Sequence, residues 1–291
     1  MKLPGELPIR VLSHNVRHVT SAPWKGERPW AERKQLLLNE FEYHTRRCED
    51  TFLCLQEVFH NQLVDILAGL NPDTSPEVLD WAYIGVGRDD GHEAGEYSPI
   101  FYRPSAWDLQ HWETVWISET PEKPSKGWDA TSIRIVTIGM FTHRASGYTV
   151  LAMNTHLDND GSHARFEGAR ILRAKIREYS EGDFGSRISG TFLAGDLNSA
   201  ENQEAYSELT APGGLRDPYK LVDSSRRYGH YNTFTGFGYE DNPPSRIDYI
   251  LLSEGTMAWK VDGYAVLENR FDDGVHNSDH CAVVVDLTLS S

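Results

Sequence analysis

Cysteine is scarce in this 291-residue sequence, which contains Cys48, Cys54 and Cys281 and no CxxC pair. An odd cysteine count argues against a disulfide framework, and the missing CxxC pairs argue against a structural zinc site. Cys54 lies within the apolar stretch TFLCLQE, so we expect it to be a buried thiol.

Long apolar runs are also missing from the sequence. No stretch reaches the length of a membrane-spanning helix. The opening residues, MKLPGELPIRVLSHNV, lack the apolar segment of a signal peptide. We therefore expect a soluble, cytoplasmic protein that has no membrane partner.

Positive charge is in deficit, because 43 Asp and Glu stand against 28 Lys and Arg and give a formal net charge of −15. A protein that grips long nucleic acid through many phosphates needs a basic face, so we expect no surface for a long duplex. The deficit is compatible with an enzyme that acts on phosphate through a bound metal ion, since the ion supplies the local positive charge.

The residues that are present favour mixed α/β layers. Runs rich in β-branched and aromatic residues with flanking turn formers predict strands at 9–16, 51–58, 97–103, 133–143, 148–157, 190–198, 246–253 and 281–289. Apolar residues at helical spacing predict helices over 29–47 and 162–182. In these helices Pro29 suits a first turn, Ser162 a cap and Gly182 an end. We interpret residues 1–291 as one domain of sheet covered by helices.

Polar residues recur where the predicted strands end. The strand TFLAGDLNSA, for example, is apolar until it reaches Asp196 and Asn198. Residues two apart on a strand point the same way, so these two side chains share a face. Similar residues end or flank the other predicted strands: Asn15, Gln56, Glu57, Asn154, His156, Asp248, Asp279 and His280.

Taken alone, one of these asparagines is more often a turn amide, and His156 a satisfied histidine, than a catalytic residue, whereas Glu57 is about as likely to be a helix-terminal acid. The set as a whole is different, because burying several acids without partners is costly and a shared cation relieves that cost. Carboxylates and amides without thiolates favour a hard ion, Mg²⁺ or Mn²⁺. The HExxH, GxSxG and Walker-type motifs are absent, so zinc peptidase, serine hydrolase and P-loop NTPase functions lack support.

Seven motifs in chain order carry a resemblance to a known superfamily: SHNVR, LQEV, GEYSPIFYR, NTHLD, GDLNS, SRIDYILLS and NSDHCAVVVDL. Together they closely resemble the endonuclease/exonuclease/phosphatase superfamily of metal-dependent phosphoesterases related to pancreatic DNase I. The resemblance runs from about residue 9 to residue 288, and it is greatest to a poorly characterised branch found in bacteria and fungi. It implies a DNase I-like, four-layered α/β/β/α sandwich with two mixed sheets flanked by helices, and a site at one rim.

The resemblance also implies metal and water roles, residue by residue. It implies that Glu57 is the principal Mg²⁺ ligand, with Asn15 and Asp279 nearby in the metal shell. It implies that Asp196 orients or deprotonates the attacking water and that Asn198 positions it.

The resemblance implies phosphate-side roles for other residues. His280, partnered by Asp248, would contact the scissile phosphate, and His156, partnered by Glu96, would be a second histidine on the phosphate side. Arg134 would face the substrate.

The substrate stays open between two kinds of phosphate ester. We expect a phosphodiester of a short nucleic acid or nucleotide ahead of a small phosphomonoester such as a sugar or inositol phosphate. Aromatic residues in 107–128 and 229–246 are candidates for a pocket rim, or else for loop packing. A catalytically inert scaffold of the same fold is a third reading, which the intact set of acids and histidines disfavours.

Overall fold

A computed structural model of the chain describes residues 5–72, 79–238 and 243–290. The strands in these ranges are β1 (Leu7–Asn15), β2 (Thr51–Gln56), β3 (Ala82–Ile84), β4 (Ile100–Tyr102), β5 (Trp107–Trp116), β6 (Ile135–His143), β7 (Thr149–His156), β8 (Ile188–Asp196), β9 (Arg227–Gly229), β10 (Asp248–Glu254), β11 (Ala258–Val266) and β12 (Val283–Ser290). The α-helices are α1 (Trp30–Thr45), α2 (His60–Leu70), α3 (Ser162–Glu181), α4 (Glu204–Leu209) and α5 (Pro218–Leu221).

The strands form two sheets. One has seven strands in the order β3-β4-β2-β1-β12-β11-β9, and the other has five in the order β10-β8-β7-β6-β5. Each sheet is mixed, because β1 pairs parallel with β2 but antiparallel with β12, and β8 pairs parallel with β7 but antiparallel with β10. This confirms the predicted class of mixed sheets.

Apolar side chains fill three spaces, which define four layers. The space between the sheets holds a cluster of aromatic rings: Phe52 with Trp107, Phe141 and Phe192. Helices α1 and α2 bury their apolar stripes on the seven-stranded sheet, and α3 and α4 bury theirs on the five-stranded sheet. The predicted helix–sheet–sheet–helix sandwich is therefore confirmed.

Each predicted strand has its counterpart, but other elements escaped prediction. Strand β5 is the edge of the five-stranded sheet and carries exposed residues at 108 and 110–112 between its buried ends, and β11 is irregular between Val261 and Gly263. Of the two alternatives for the aromatic residues of 107–128, packing rather than a pocket rim holds for the buried tryptophans of β5. Trp107 is in the core, and the Trp116 indole donates to the Arg88 carbonyl oxygen at 2.7 Å.

The two predicted helices form with different ends. Helix α1 begins at Trp30, after Pro29. Helix α3 begins at Ser162, and the carboxylate of Asp129 accepts the Ala164 backbone N–H in place of a Ser162 cap. Gly182 follows the last residue of α3, as predicted. Cys54 is buried as expected, and burial raises the pKa of its thiol.

Strand register gathers the polar strand ends at one edge of the sandwich. His156 at the end of β7 pairs with Asp196 at the end of β8, and Asp196 pairs with Asp248 at the start of β10. In the other sheet Asn15 pairs with Gln56 at the ends of β1 and β2. Within the described ranges, no helix combines the length and apolar character that crossing a bilayer requires.

Candidate active site

A cavity of about 560 Å³ opens at this edge of the sandwich. Eight of the ten residues predicted for the site line it: Glu57, Glu96, Arg134, His156, Asp196, Asn198, Asp279 and His280. The other two, Asn15 and Asp248, are buried and hydrogen-bond to lining residues. The structure therefore brings the whole predicted set together.

Asn15 joins the two sheets at the floor of the cavity. Its amide Nδ2 donates to Glu57 Oε1 and to Asp196 Oδ2, each at 3.0 Å. Its amide oxygen accepts the backbone N–H of Arg17 at 3.0 Å. One amide at the end of β1 therefore fixes a carboxylate from each sheet.

His280 lies between two carboxylates of the five-stranded sheet. Its Nδ1 is 2.8 Å from Asp248 Oδ2, and its Nε2 is 3.7 Å from Asp196 Oδ2. Burial lowers the pKa of His280, but the charges of Asp248 and Asp196 outweigh burial and raise it to about 10. The imidazole is therefore a cation near neutral pH.

His156 has an acid on one side and an amide on the other. Its Nδ1 is 3.5 Å from Glu96 Oε2, and its Nε2 is 3.0 Å from Asn198 Nδ2. Burial would raise the pKa of Glu96, but His156 and the guanidinium of Arg88, 2.7 Å away, lower it. Glu96 is therefore a carboxylate beside this imidazole, whose buried Nδ1 makes no hydrogen bond in the described ranges.

Arg134 reaches the same cavity from the loop before β6. Its Nε is 3.4 Å from Asp158 Oδ2, and its Nη2 donates to Asn159 Oδ1 at 2.9 Å. Its Nη1 is buried, lies 3.8 Å from Glu96 Oε2 and makes no hydrogen bond among the described residues. A buried guanidinium N–H without a hydrogen bond is well suited to an anionic oxygen.

Sequence reasoning missed two residues that contact Glu57. The Nδ1 of His18 is 2.6 Å from Glu57 Oε2, and Arg17 Nη1 is 3.8 Å from the same oxygen. Burial alone would raise the pKa of Glu57, but His18, His156 and Arg17 hold it well below its usual range. Their position just after the strand-end Asn15 was the only signal in the sequence.

Backbone conformation at the site is unusual. Arg17, Glu57 and Asn198 have φ of 59°, 58° and 45°, a left-handed region that few residues other than glycine adopt. Such strain persists only where the surroundings over-determine it, and it concentrates at functional sites. Gly195, with φ of 149°, lets β8 approach β7, because a Cβ there would collide with the Thr155 carbonyl oxygen.

The buried guanidinium of Arg33, on α1, ties together the loops around the cavity. Its Nη1 donates to the carbonyl oxygens of Val16 at 2.9 Å and Asn277 at 2.6 Å. Its Nη2 donates to the Arg17 carbonyl at 3.0 Å, and its Nε to the Arg28 carbonyl at 2.9 Å. It therefore fixes the loop after β1 against the loop before β12.

The oxygen donors at the cavity floor fit a hard divalent ion. Burial raises the pKa of Asp196, and the charge of Asp248 adds to this; burial and Glu57 likewise raise the pKa of Asp279 against the opposing charge of His280. The Oδ1 of Asp248 is buried without a hydrogen-bond partner in the described ranges. A cation relieves such crowding of carboxylates.

Two neighbouring sets of side chains can contribute ligands. Asp196, Asp248 and His280 each offer a ligand atom within 4.8 Å of the others. The predicted ligands Glu57 and Asp279 lie beside that group in the same cavity. Carboxylate oxygens without thiolates favour Mg²⁺ or Mn²⁺.

Comparison with known proteins identifies the family. A model of the Endonuclease/Exonuclease/phosphatase family matches residues 12–280. The chain belongs to this family. Its members are phosphoesterases, so the protein is a hydrolase that acts on phosphate ester bonds. A search of curated proteins found no match.

Solved structures of the family resemble this chain over nearly its whole length. The endonuclease/exonuclease/phosphatase of Bacteroides vulgatus is 30% identical with a TM-score of 0.83, covering 98% of this chain and 100% of that one. The mannosyl-6-phosphatase Bt3783 of Bacteroides thetaiotaomicron is 33% identical with a TM-score of 0.82, over 96% and 99%. TDP2 from D. rerio, complexed with a single-strand DNA product, is 18% identical with a TM-score of 0.70, over 96% and 98%, and shares the fold.

Arg33→Lys tests the bridge between the loops. Lysine cannot span the four carbonyl oxygens, so we expect a loss of about 2–4 kcal/mol in the free energy of unfolding, measured by urea denaturation. The matched change Arg28→Lys, at a side chain 59% exposed, should stay within about 0.5 kcal/mol of the parent protein. Equal losses in the two variants would contradict the assigned role.

Asp248→Asn tests the electrostatics of His280. Removing the nearer carboxylate destabilises the imidazolium, so the pKa of His280 should fall by at least about one pH unit. NMR titration of the imidazole ring in metal-free protein measures this. Asp108→Asn, on edge strand β5, is the control and should leave the pKa in place. An unchanged pKa in Asp248→Asn would show that this ion pair does not hold the charge.

Proposed function

We propose that the protein is a divalent-metal-dependent phosphomonoesterase that hydrolyses a small phosphorylated metabolite. The observation that carries the proposal is one cavity in which buried carboxylates face two imidazoles and a guanidinium. This combination serves a hard cation on one side and a phosphate on the other. The mannosyl-6-phosphatase that is 33% identical to the chain supports a small phosphomonoester.

The dimensions and charge of the protein also support a small substrate. A cavity of about 560 Å³ is in the range that encloses a metabolite rather than a polymer. The net charge of −15 disfavours long nucleic acid. The phosphodiester of a short nucleic acid or nucleotide, which the sequence favoured, thus becomes the second candidate.

We assign the metal to the floor of the cavity, with Glu57 and Asp279 as ligands and Asn15 beside them. A bound Mg²⁺ or Mn²⁺ would neutralise charge on the nonbridging phosphate oxygens. The hydrogen bonds from His18 and Asn15 hold Glu57 as an ionised carboxylate before any ion binds. This leaves its two oxygens fixed in orientation.

We assign the proton transfer to Asp196. Burial and Asp248 raise its pKa, which makes its carboxylate a stronger base toward a water molecule within hydrogen-bond reach. Asn198 donates its backbone N–H to Asp196 Oδ1 at 2.9 Å and its side chain lies against His156. Asn198 would therefore hold the base and the histidine in fixed positions relative to each other.

We assign phosphate binding to the cationic groups of the cavity. His280, as an imidazolium, and Arg134 Nη1, which has no hydrogen bond and lies 3.8 Å from Glu96 Oε2, would donate to phosphate oxygens, where charge builds in the transition state. His156 Nε2 accepts the Asn198 Nδ2 amide N–H, so His156 would donate to the same phosphate only as an imidazolium that has displaced this amide. Because His280 and Arg134 are fixed before the substrate arrives, little reorganisation of these two donors accompanies the reaction.

Glu57→Gln and Asp196→Asn test the proposal directly. Each should lower kcat/KM for a phosphomonoester in Mg²⁺ by about 10²–10⁴-fold, because one removes a metal ligand and the other the base. Phosphate release from p-nitrophenyl phosphate and from a sugar phosphate is the measurement. Raised Mg²⁺ should partly restore Glu57→Gln but not Asp196→Asn.

The controls separate the candidate functions. Glu93→Gln, at a side chain 73% exposed, should keep parental activity. Near-normal turnover in both site variants would overturn the assignment. Faster turnover of bis-p-nitrophenyl phosphate than of any monoester would favour the phosphodiester reading, and parental protein inactive on every ester would favour an inert scaffold.

A further inference from the structure

Trp24 is a tryptophan that the chemistry of the site leaves unexplained. It lies in the loop between β1 and α1, lines the cavity and is 42% exposed. Other tryptophans, such as Trp30, Trp81 and Trp107, are buried in the core. An indole that stays exposed inside a polar cavity forgoes the free energy of burial, and this points to a ligand that covers it.

Two buried charged side chains hold the Trp24 indole in place. The Arg17 guanidinium carbon lies 4.7 Å from the centroid of the Trp24 ring, so a cation covers one face. Glu27 accepts the Trp24 backbone N–H at 2.9 Å and pairs with Arg17 through two contacts of 3.3 Å. Both Arg17 and Glu27 are buried, so the ring is fixed before a ligand binds.

The same contacts place the indole close to the proposed reaction centre. Arg17, beneath the ring, has Nη1 3.8 Å from Glu57 Oε2. One side chain therefore separates the indole from the carboxylate that we assign to the metal. A ring stacked on the face of Trp24 that Arg17 leaves open would lie in the same cavity as this carboxylate.

The rest of the lining suits a ligand with many hydroxyl groups. Neutral side chains that donate and accept hydrogen bonds stand among the charged ones: Ser132, Asn159, Gln203 and Ser245. A pyranose ring presents apolar C–H faces and a periphery of hydroxyls, which matches an aromatic surface surrounded by neutral polar groups.

We propose that Trp24 is a stacking surface for the pyranose ring of a hexopyranose 6-phosphate and determines specificity for the ring form. In such a sugar one methylene joins the ring to the phosphate ester, whereas in a nucleotide the ribose separates the base from the phosphate. The neutral polar side chains of the lining, and the similarity of the chain to a mannosyl-6-phosphatase, favour the sugar. The inference rests on the proposed phosphomonoesterase function and names its substrate class.

Trp24→Ala, compared on a ring substrate and an open-chain substrate, tests the inference. Mannose 6-phosphate and a hexitol 6-phosphate share the phosphate and the hydroxyls, but only the first has a ring. Trp24→Ala should raise KM for mannose 6-phosphate about tenfold, from the lost apolar contact, with kcat within about twofold. KM for the hexitol phosphate should change less than about twofold, and Trp24→Phe should be intermediate for the ring substrate.

Trp112→Ala is the matched control, because Trp112 is 40% exposed on edge strand β5 and does not line the cavity. It should leave both KM values unchanged. Equal KM increases for the two substrates in Trp24→Ala would overturn the inference, since the residue would then act through loop structure. A larger increase for a nucleoside 5′-monophosphate than for the sugar would also overturn it, in favour of a base-stacking role.

Equilibrium binding tests this inference independently of the proposed function. Calorimetry with Asp196→Asn and with the double variant Trp24→Ala/Asp196→Asn measures binding of both substrates without turnover. If the ring substrate binds more tightly and this difference depends on Trp24, the result supports the stacking surface. This holds even if the parental protein hydrolyses neither ester, because that outcome would refute only the proposed function. Equal binding of ring and open-chain substrates by Asp196→Asn overturns the stacking surface, whatever the turnover.

Discussion

The electrostatic cost of buried carboxylates at one edge of the sandwich governs the rest of the site. Glu57, Asp196, Asp248 and Asp279 are gathered there, and burial raises the pKa of Asp196 and Asp279. The charges of Asp248 and Asp196 raise the pKa of His280, so its imidazolium offsets part of this negative charge. A divalent ion would relieve the remainder, and the balance would leave imidazoles and guanidiniums free to bind phosphate.

Two rigid sheets make this concentration of charge possible. Strand register sets His156, Asp196 and Asp248 side by side, and the amide of Asn15 joins one sheet to the other. The loops that complete the cavity are held by Arg33, whose guanidinium donates hydrogen bonds to backbone carbonyl oxygens rather than to a carboxylate. Apolar packing between the sheets stabilises this edge, because the core holds the strands in place against electrostatic repulsion among the acids.

The sequence was sufficient for the layers and for the residues at the strand ends. Buried strands such as TFLAGDLN read clearly because apolar runs stop abruptly at polar residues, and ordered motifs fixed the family. Edge strand β5 escaped because solvent-facing polar residues break its pattern. Arg17, His18 and Trp24 were not predicted for another reason. Their contacts depend either on partners distant in sequence or on loop conformation, such as the left-handed φ of Arg17. Neither leaves a periodic signal.

The melting temperature of the protein as a function of Mg²⁺ concentration tests the central claim, that these carboxylates form a cation site. At about 100 times the dissociation constant the parental protein should melt at least about 5 °C higher than in EDTA, because the ion binds the folded state. Glu57→Gln should lose most of this shift, and Glu93→Gln should keep it. No shift in the parental protein, or an equal shift in Glu57→Gln, would contradict the account.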